Sequence, residues 1–496
     1  MRHLLLTGVL VTCLAAAAAA ADWPQFLGPD RNGTSAEKGL LREWPEDGPK
    51  VLWTIEVGKG YGGAAIRDGK VYLLDRVGQE QDKLRCLDLA TGKEEWSFAY
   101  DAPGGLDHDG SRSTPAVDEK YVFTIGPHGQ LHCVDKATHK SVWQKHLLND
   151  YGAKRPNWAV SQSPLLYKDV VIVAPLSGSA GVVALEKATG KEQWKSEGIG
   201  DLYYSSPFVT TVGGAEQIII QSTQKVAGID PATGKVLWTY GYRVRVAGVP
   251  APTPLGKDRF FLTGAYDADS EIIQVERQGD AFTAKGLHKF EQIGSHVHQP
   301  ILYEGYLYAV CNTNNKANGL VCFSLDGEIK WQTKREPYFC KGNILLTGDG
   351  LLYEMDGRTG ELYTIQPSPE GFKPLAKAKM LDGNEIWGPM ALADGKLVIR
   401  DQRPDEVPRR QGAVELPRGE VDVGDRDGRS VAVRPVARPQ HHPAHPGSQS
   451  PQGYVARQRR PQPGDARVVR PRQGKRLGGA GAGRGVRHQH GPVRRA

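Results

Sequence analysis

The chain has 496 residues, 39% hydrophobic and 24% charged, with 60 Gly and 33 Pro but only 4 Met. That composition excludes a helical bundle or coiled coil and favours many short strands joined by turns. The net charge of +7 hides two unlike parts: residues 403–496 carry a net +12, almost all of it Arg, while residues 1–402 carry a net −5 and no basic run, so nucleic acid is not an expected partner.

At the N-terminus, Arg2 and His3 precede an apolar run over 4–14, and alanines fill 15–21 up to Asp22-Trp23-Pro24. A basic start, an apolar stretch and small residues before a polar junction predict a secretory signal peptide over 1–21, hence a periplasmic or extracellular protein. Thr12 before Cys13 is atypical of a lipidation signal, so no lipid anchor at Cys13 is expected. Residues 22–50 read as an N-terminal extension. Past residue 21 no apolar run reaches the ~18 residues of a spanning helix. The mature cysteines are Cys86, Cys133, Cys311, Cys322 and Cys340, with no C-x-x-C pair, which points to neither a zinc ribbon nor covalent haem. A disulfide among them stays open.

An internal repeat then dominates the chain. Its copies are Asp88-Leu89-Ala90-Thr91-Gly92-Lys93-Glu94-Glu95-Trp96, Asp135 to Trp143, Glu186 to Trp194 and Asp230 to Trp238, each with an acid-to-Trp offset of 8, and a shorter copy runs from Asp326 to Trp331. The pattern is that of a hairpin. An apolar strand ends at an acid whose carboxylate accepts turn N–H groups, Gly takes the positive φ of the bend, and the next strand buries a Trp. His139 replaces the Gly once. Cys86, Cys133 and Cys322 share one phase of the repeat with Ala184 and Ala227, which reads as a small buried position.

Trp53, Trp96, Trp143, Trp194, Trp238 and Trp331 mark successive slots, His288 and Ala376 fill two more, and the mean spacing is about 46 residues. A second marker keeps the same beat: Ser113-Thr114-Pro115, Ser163-Pro164, Ser206-Pro207, Thr253-Pro254, Gln299-Pro300 and Gly388-Pro389 each precede an apolar stretch. Four short strands per 40–50 residues is one propeller blade. The expected fold is all-β: an eight-bladed β-propeller of four-stranded blades over 51–402, whose Trp residues dock one blade on the next. Residues 386–402 supply two strands of the last blade, and Val51-Leu52-Trp53-Thr54-Ile55 docks there to close the ring, which hides a sheet edge. One strand of that blade is missing in this reading. Residues 403–496 hold 12 Pro and 14 Gly and no Phe, Trp, Ile, Met or Cys. They read as a disordered tail, either a genuine basic appendix or the product of a frameshift.

The Thr-Gly-Lys-x-x-Trp hairpin at blade spacing resembles the PQQ-like β-propeller repeat family, which includes quinoprotein alcohol dehydrogenases and the assembly lipoprotein BamB. The head of the mature chain, Asp22-Trp23-Pro24-Gln25-Phe26-Leu27-Gly28-Pro29-Asp30-Arg31-Asn32-Gly33, is similar to exported bacterial proteins of that group. The resemblance implies two functions: a non-catalytic binding or assembly scaffold in the cell envelope, or a dehydrogenase carrying PQQ and Ca²⁺ in the central channel. The dehydrogenases stack PQQ on a disulfide of adjacent cysteines, which this chain lacks, and its blades are near minimal length. The expected protein is therefore a monomeric, BamB-like scaffold whose partner is an envelope protein or an extracellular polymer, with the alcohol dehydrogenase as the alternative.

Candidate site residues are few. Asp107, His108, Asp109 and Arg112 precede an inner strand and read as a metal or base cluster or, more simply, as a solvated loop. His296 and His298 share one face of an extended segment, as ligands or as a channel rim. Asp267-Ala268-Asp269-Ser270-Glu271 reads as a turn. Trp158, Ser161, Ser163, Ser205 and Ser206 recur before inner strands and line the expected channel mouth. A carbohydrate- or polymer-binding propeller needs exposed aromatics there, with Trp158 and Tyr203-Tyr204 as the candidates.

Overall fold

In three of the repeat copies the turn backbone is held by the carboxylate that precedes it, while Glu186 accepts from the Thr189 hydroxyl (2.7 Å) instead. Asp135 Oδ1 accepts from the backbone of Ala137 (3.0 Å) and Thr138 (2.8 Å), and Asp88 and Asp230 accept from their own turns in the same way. Gly92, Gly190 and Gly234 sit at φ of 71°, 70° and 76°, and His139 takes φ 59° at the equivalent place. The computed structural model describes residues 22–402 and 409–416, except 267–268, 292, 313–316 and 384. The predicted signal peptide and all but the first part of the predicted tail lie outside the described residues. All described residues belong to the unit Met1–Val423.

The described strands form eight antiparallel four-stranded sheets. Blades 1 to 7 span 65–101, 116–146, 165–195, 208–241, 253–290, 301–332 and 344–379, each built in chain order from the innermost strand outwards. Blade 8 takes Ala391–Ala393, Lys396–Arg400 and Arg409–Glu415, with Lys50–Val57 as its outer strand. The ring is an eight-bladed β-propeller, closed between the two ends of the body as the sequence predicts.

The third strand of blade 8 corrects the sequence reading, which ended the propeller at 402 and found that strand missing. Arg409–Glu415 pairs with Lys396–Arg400 on one side and with Lys50–Val57 on the other. Ala413 and Val414 are buried, as is Leu416 just beyond the strand. Three apolar residues suffice because both neighbouring strands already saturate the backbone hydrogen bonds.

Blade docking follows from the turn geometry. The Trp53 ring of blade 8 lies over Gly92 of blade 1, where an added Cβ would stand 2.5 Å from the indole, and Trp53 Nε1 donates to Leu89 O (2.8 Å). Trp143 covers Gly190 and donates to Lys187 O (2.8 Å); Trp194 covers Gly234 and donates to Pro231 O (3.1 Å). Trp96 stacks on His139, ring centroids 4.7 Å apart, so the one non-glycine turn replaces a glycine contact by a ring contact. His288 packs on Gly327 in the slot expected of it, and Trp331 donates to Ser368 O (2.7 Å). Trp238 differs: it turns back to Gln217 Oε1 (2.7 Å) within its own blade. Opposite it stands Gly228, one residue beyond the Ala227 of the sequence alignment, because a side chain there would collide with the indole. Cys86, Cys133, Ala184 and Cys322 each face a Trp directly, and the five described cysteines are free thiols. The cores lie between blades, as in the buried cluster that joins Phe123 and Leu131 to Ile172 and Leu185.

The Ser/Thr-Pro marker also has a structural use. Gly63 N donates to Thr114 Oγ1 (3.1 Å), Thr114 N to Ser163 Oγ (2.9 Å) and Ser163 N to Ser206 Oγ (2.9 Å), so hydroxyls stitch successive inner strands together around the channel.

Candidate binding site at the channel mouth

The first element of the site is the N-terminal extension, whose sequence predicts no place in the ring. It enters the channel and pairs with the inner strands. Trp23 bridges Ile66 of blade 1, Pro24 O accepts from Val117 N of blade 2, and Thr34 bridges Leu346 of blade 7. Trp23 is 1% exposed. Arg31 donates to Pro164 O (2.8 Å), Ser163 O (3.1 Å) and Gln25 Oε1 (3.2 Å); burial without a carboxylate partner pushes its guanidinium down to about 9. The segment thus plugs the channel, and Phe26 and Leu27 at its turn form part of the lining of a cavity of about 160 Å³.

The remaining lining comes from the loops that link one blade to the next, plus Tyr266 from within blade 5. One wall is a ladder of alternating cations and rings. Lys341 Nζ stands 4.4 Å from the Trp387 ring centroid, Trp387 stacks on Tyr61 at 5.3 Å, and the Arg112 guanidinium lies 5.5 Å from the Tyr61 ring. Burial lowers the affinity of both cations for their protons. Arg112 is fixed by the carbonyls of Asp107 (2.8 Å), His108 (2.5 Å) and Gly110 (2.6 Å). The opposite wall is aromatic: Trp158 packs on Tyr204 (5.7 Å) and Tyr266 (6.4 Å), and Tyr266 meets the edge of His296 (5.0 Å).

The two histidines are buried and differ in their partners. His298 Nδ1 faces Asn343 Nδ2 (2.8 Å) and must accept, which leaves Nε2 to donate to Lys341 O (3.0 Å). His296 has no partner at either nitrogen. Burial, helped by Lys341 and His298, pushes His296 down to about 3, and burial pushes His298 down to about 4, so both rings are neutral at pH 7.

Of the residues singled out in the sequence, His108, Arg112, Trp158, Ser161, Ser206, His296 and His298 line one cavity, and Tyr204 joins them. Both histidines belong to the cavity wall. Asp107 and His108 are exposed, but Asp109 is no solvated loop residue: it pairs with Arg76 Nε (2.9 Å) and Lys59 (3.6 Å), and Arg76 is buried. The predicted turn at 267–271 is also corrected in part, since Ser270 and Glu271 begin the strand Ser270–Gln278; Asp267 and Ala268 lie outside the described residues. Sequence reasoning missed Tyr61, Tyr266, Lys341 and Trp387. Their only local signal is an unexplained ring or cation in a loop, between blades for Tyr61, Lys341 and Trp387 and within blade 5 for Tyr266.

Residues 80–333, just over half of the chain, match the PQQ-like repeat family described as outer membrane protein assembly factor BamB. The chain belongs to this family. No curated protein sequence matches it significantly. Among solved structures, BamB from Moraxella catarrhalis aligns with 74% of this chain and 99% of its own length, at 12% identity and a TM-score of 0.51. A quinohemoprotein alcohol dehydrogenase from Comamonas testosteroni aligns with 81% of this chain and 82% of its own length, at 13% identity and a TM-score of 0.52. Another, from Pseudomonas putida HK5, covers 85% and 82% at 12% identity and a TM-score of 0.54. These likenesses establish a propeller fold shared with solved structures that do and do not carry a redox activity in their names.

The fold likeness to quinohemoprotein enzymes raises the question of whether this mouth suits a calcium-bound quinone. Calcium takes six to eight oxygen ligands, several of them carboxylates. Among the described residues the cavity lining contains no Asp or Glu, and no group of three or more His, Cys, Asp or Glu is placed to hold a metal. The nearby Glu385 is engaged by the Tyr61 hydroxyl (2.7 Å) and Asp109 by Arg76. The donor set does not fit a calcium-bound quinone with a carboxylate base. No helix among the described residues is long and apolar enough to cross a membrane.

Proposed function

We propose that this propeller is an exported, non-catalytic member of the BamB-like family that holds a ligand or partner segment in its plugged channel mouth, within the cell envelope. One observation carries the reading: the described mouth offers half-buried aromatic rings and two cations, and no carboxylate to bind calcium or take a proton from an alcohol. Stacking surfaces and fixed charge suit recognition. The signal-peptide pattern over 1–21 supports export.

A second reading, a PQQ-dependent alcohol dehydrogenase, is favoured by the fold shared with quinohemoprotein enzymes and by the two cations, which suit an anionic quinone. Dye-linked oxidation of primary alcohols by the full chain, after incubation with PQQ and Ca²⁺, separates the two. The scaffold reading expects no turnover above the protein-free control. Turnover that depends on both additives overturns it.

A further inference from the structure

The cavity carries more information than its lack of acids. Lys341 and Arg112 present positive charge on one wall with no carboxylate bonded to either, and each is held against a ring that fixes its position. Three further polar groups on the lining are buried and have no partner in the protein: both nitrogens of His296, Oε1 of Gln299 and Nε1 of Trp387. His296 is 8% exposed and Gln299 5%. Buried polar atoms without partners are rare in folded proteins and call for a hydrogen-bonding occupant. The volume of about 160 Å³ lies well below the ~300 Å³ at which drug-sized pockets begin, so the occupant is a single small ring or the end of a chain.

We propose that the mouth binds one uronate residue of an acidic polysaccharide: the carboxylate meets Lys341 and Arg112, the apolar face of the sugar lies on Trp158, and the hydroxyls meet His296 and Gln299. This inference rests on the non-catalytic reading above. Each feature of the cavity has a counterpart in that ligand. Carboxylate recognition needs fixed cations. The C–H face of a pyranose needs a flat apolar surface, and Trp158 is half-buried and open to the cavity. Several orphaned polar atoms in a small space need several hydroxyls on one compact ring. An acidic peptide brings a carboxylate on a flexible apolar stem and leaves the orphaned atoms unpaired, so it matches less of the site. A neutral sugar leaves both cations unused.

The test is calorimetric titration of the full chain with α-1,4-linked trigalacturonate, maltotriose and triglutamate, with thermal melting in parallel. Trigalacturonate is expected to bind and raise the melting temperature, more weakly at high salt. Maltotriose is expected to bind at least tenfold more weakly. Lys341→Met keeps an unbranched apolar side chain and removes the charge; it is expected to weaken trigalacturonate roughly tenfold or more, the scale of a charge-assisted hydrogen bond, at a melting temperature without ligand close to that of the parent. Trp158→Ala gives the same loss through the other wall. The proposal is overturned by a folded protein that ignores trigalacturonate, by equal affinity for maltotriose, by triglutamate binding in its place, or by Lys341→Met binding as well as the parent. Dye-linked turnover with PQQ and Ca²⁺ instead overturns the non-catalytic reading, so the two failures are distinguishable.

Discussion

Replacing Trp53 by Ala removes the side chain that seals the ring between its first and last strands. The indole is 7% exposed, lies over the turn at Gly92 and donates Nε1 to Leu89 O at 2.8 Å. Gly92 cannot move in to fill the space, because its backbone is fixed by Asp88, whose carbonyl accepts from Gly92 N at 2.8 Å. A buried Trp replaced by Ala costs about 3–5 kcal/mol in lost transfer energy and residual cavity. The orphaned Leu89 carbonyl lies within that range, since a lost hydrogen bond is worth ~1 kcal/mol. Trp194 makes the same contact between blades 3 and 4 but is half-buried, so Trp194→Ala is expected to cost less, ~2 kcal/mol. Val51→Ala, at a neighbouring position 51% exposed, is expected to change stability by less than ~0.5 kcal/mol. Urea unfolding followed by far-ultraviolet circular dichroism ranks the three, independently of the altered fluorescence. A Trp53→Ala loss below ~1 kcal/mol, or one no larger than that of Val51→Ala, refutes docking through the indole.

Two further predictions follow from backbone and burial. Gly190→Ala places a Cβ 2.6 Å from the Trp143 ring at φ 70°; it is expected to destabilise by ~2–4 kcal/mol, combining left-handed strain with overpacking, and a neutral result in urea unfolding contradicts the turn contact. Glu354 is fully buried between strands of blade 7 with neither carboxyl oxygen partnered, and burial, then Asp356, raises it well above the ordinary carboxylate value. The folded chain therefore keeps a proton that the unfolded chain releases above the ordinary glutamate value of 4.5. This contribution favours folding at low pH and is lost as pH rises past 4.5 toward the raised folded value. Glu354→Met is expected to be more stable than the parent at pH 7.5, with the difference shrinking toward pH 5; a less stable variant at pH 7.5 shows that the carboxylate has a partner.

The propeller was legible because its code is local. An acid eight residues before a Trp sets a turn, and the Gly between them is the surface on which the previous blade's indole rests; Asp88, Gly92 and Trp53 show the two halves meeting. Where the code is broken the reading slipped, as at Gly228, or was silent, as at Arg409–Glu415, whose buried residues stand among Arg and Gln. The plug was not legible, since residues 23–37 make short, separate backbone contacts with blades 1, 2 and 7 and so carry no strand period. The mouth was legible only in part. Trp158 is marked by the pattern that recurs before inner strands, and His296 and His298 by their alternation on one face of an extended segment. That Lys341, Trp387, Tyr61 and Arg112 form one ladder depends on ring closure, which brings together residues from opposite ends of the chain.

The central claim is that the mouth recognises a ligand without being a calcium–quinone centre, and thermal melting of the full chain during titration with PQQ and Ca²⁺ tests it most directly. A site that binds only the folded state adds about 2.7 kcal/mol of stability at 100 times its dissociation constant. The account predicts no calcium-dependent rise in melting temperature at any quinone concentration. A rise that requires both PQQ and Ca²⁺ contradicts it.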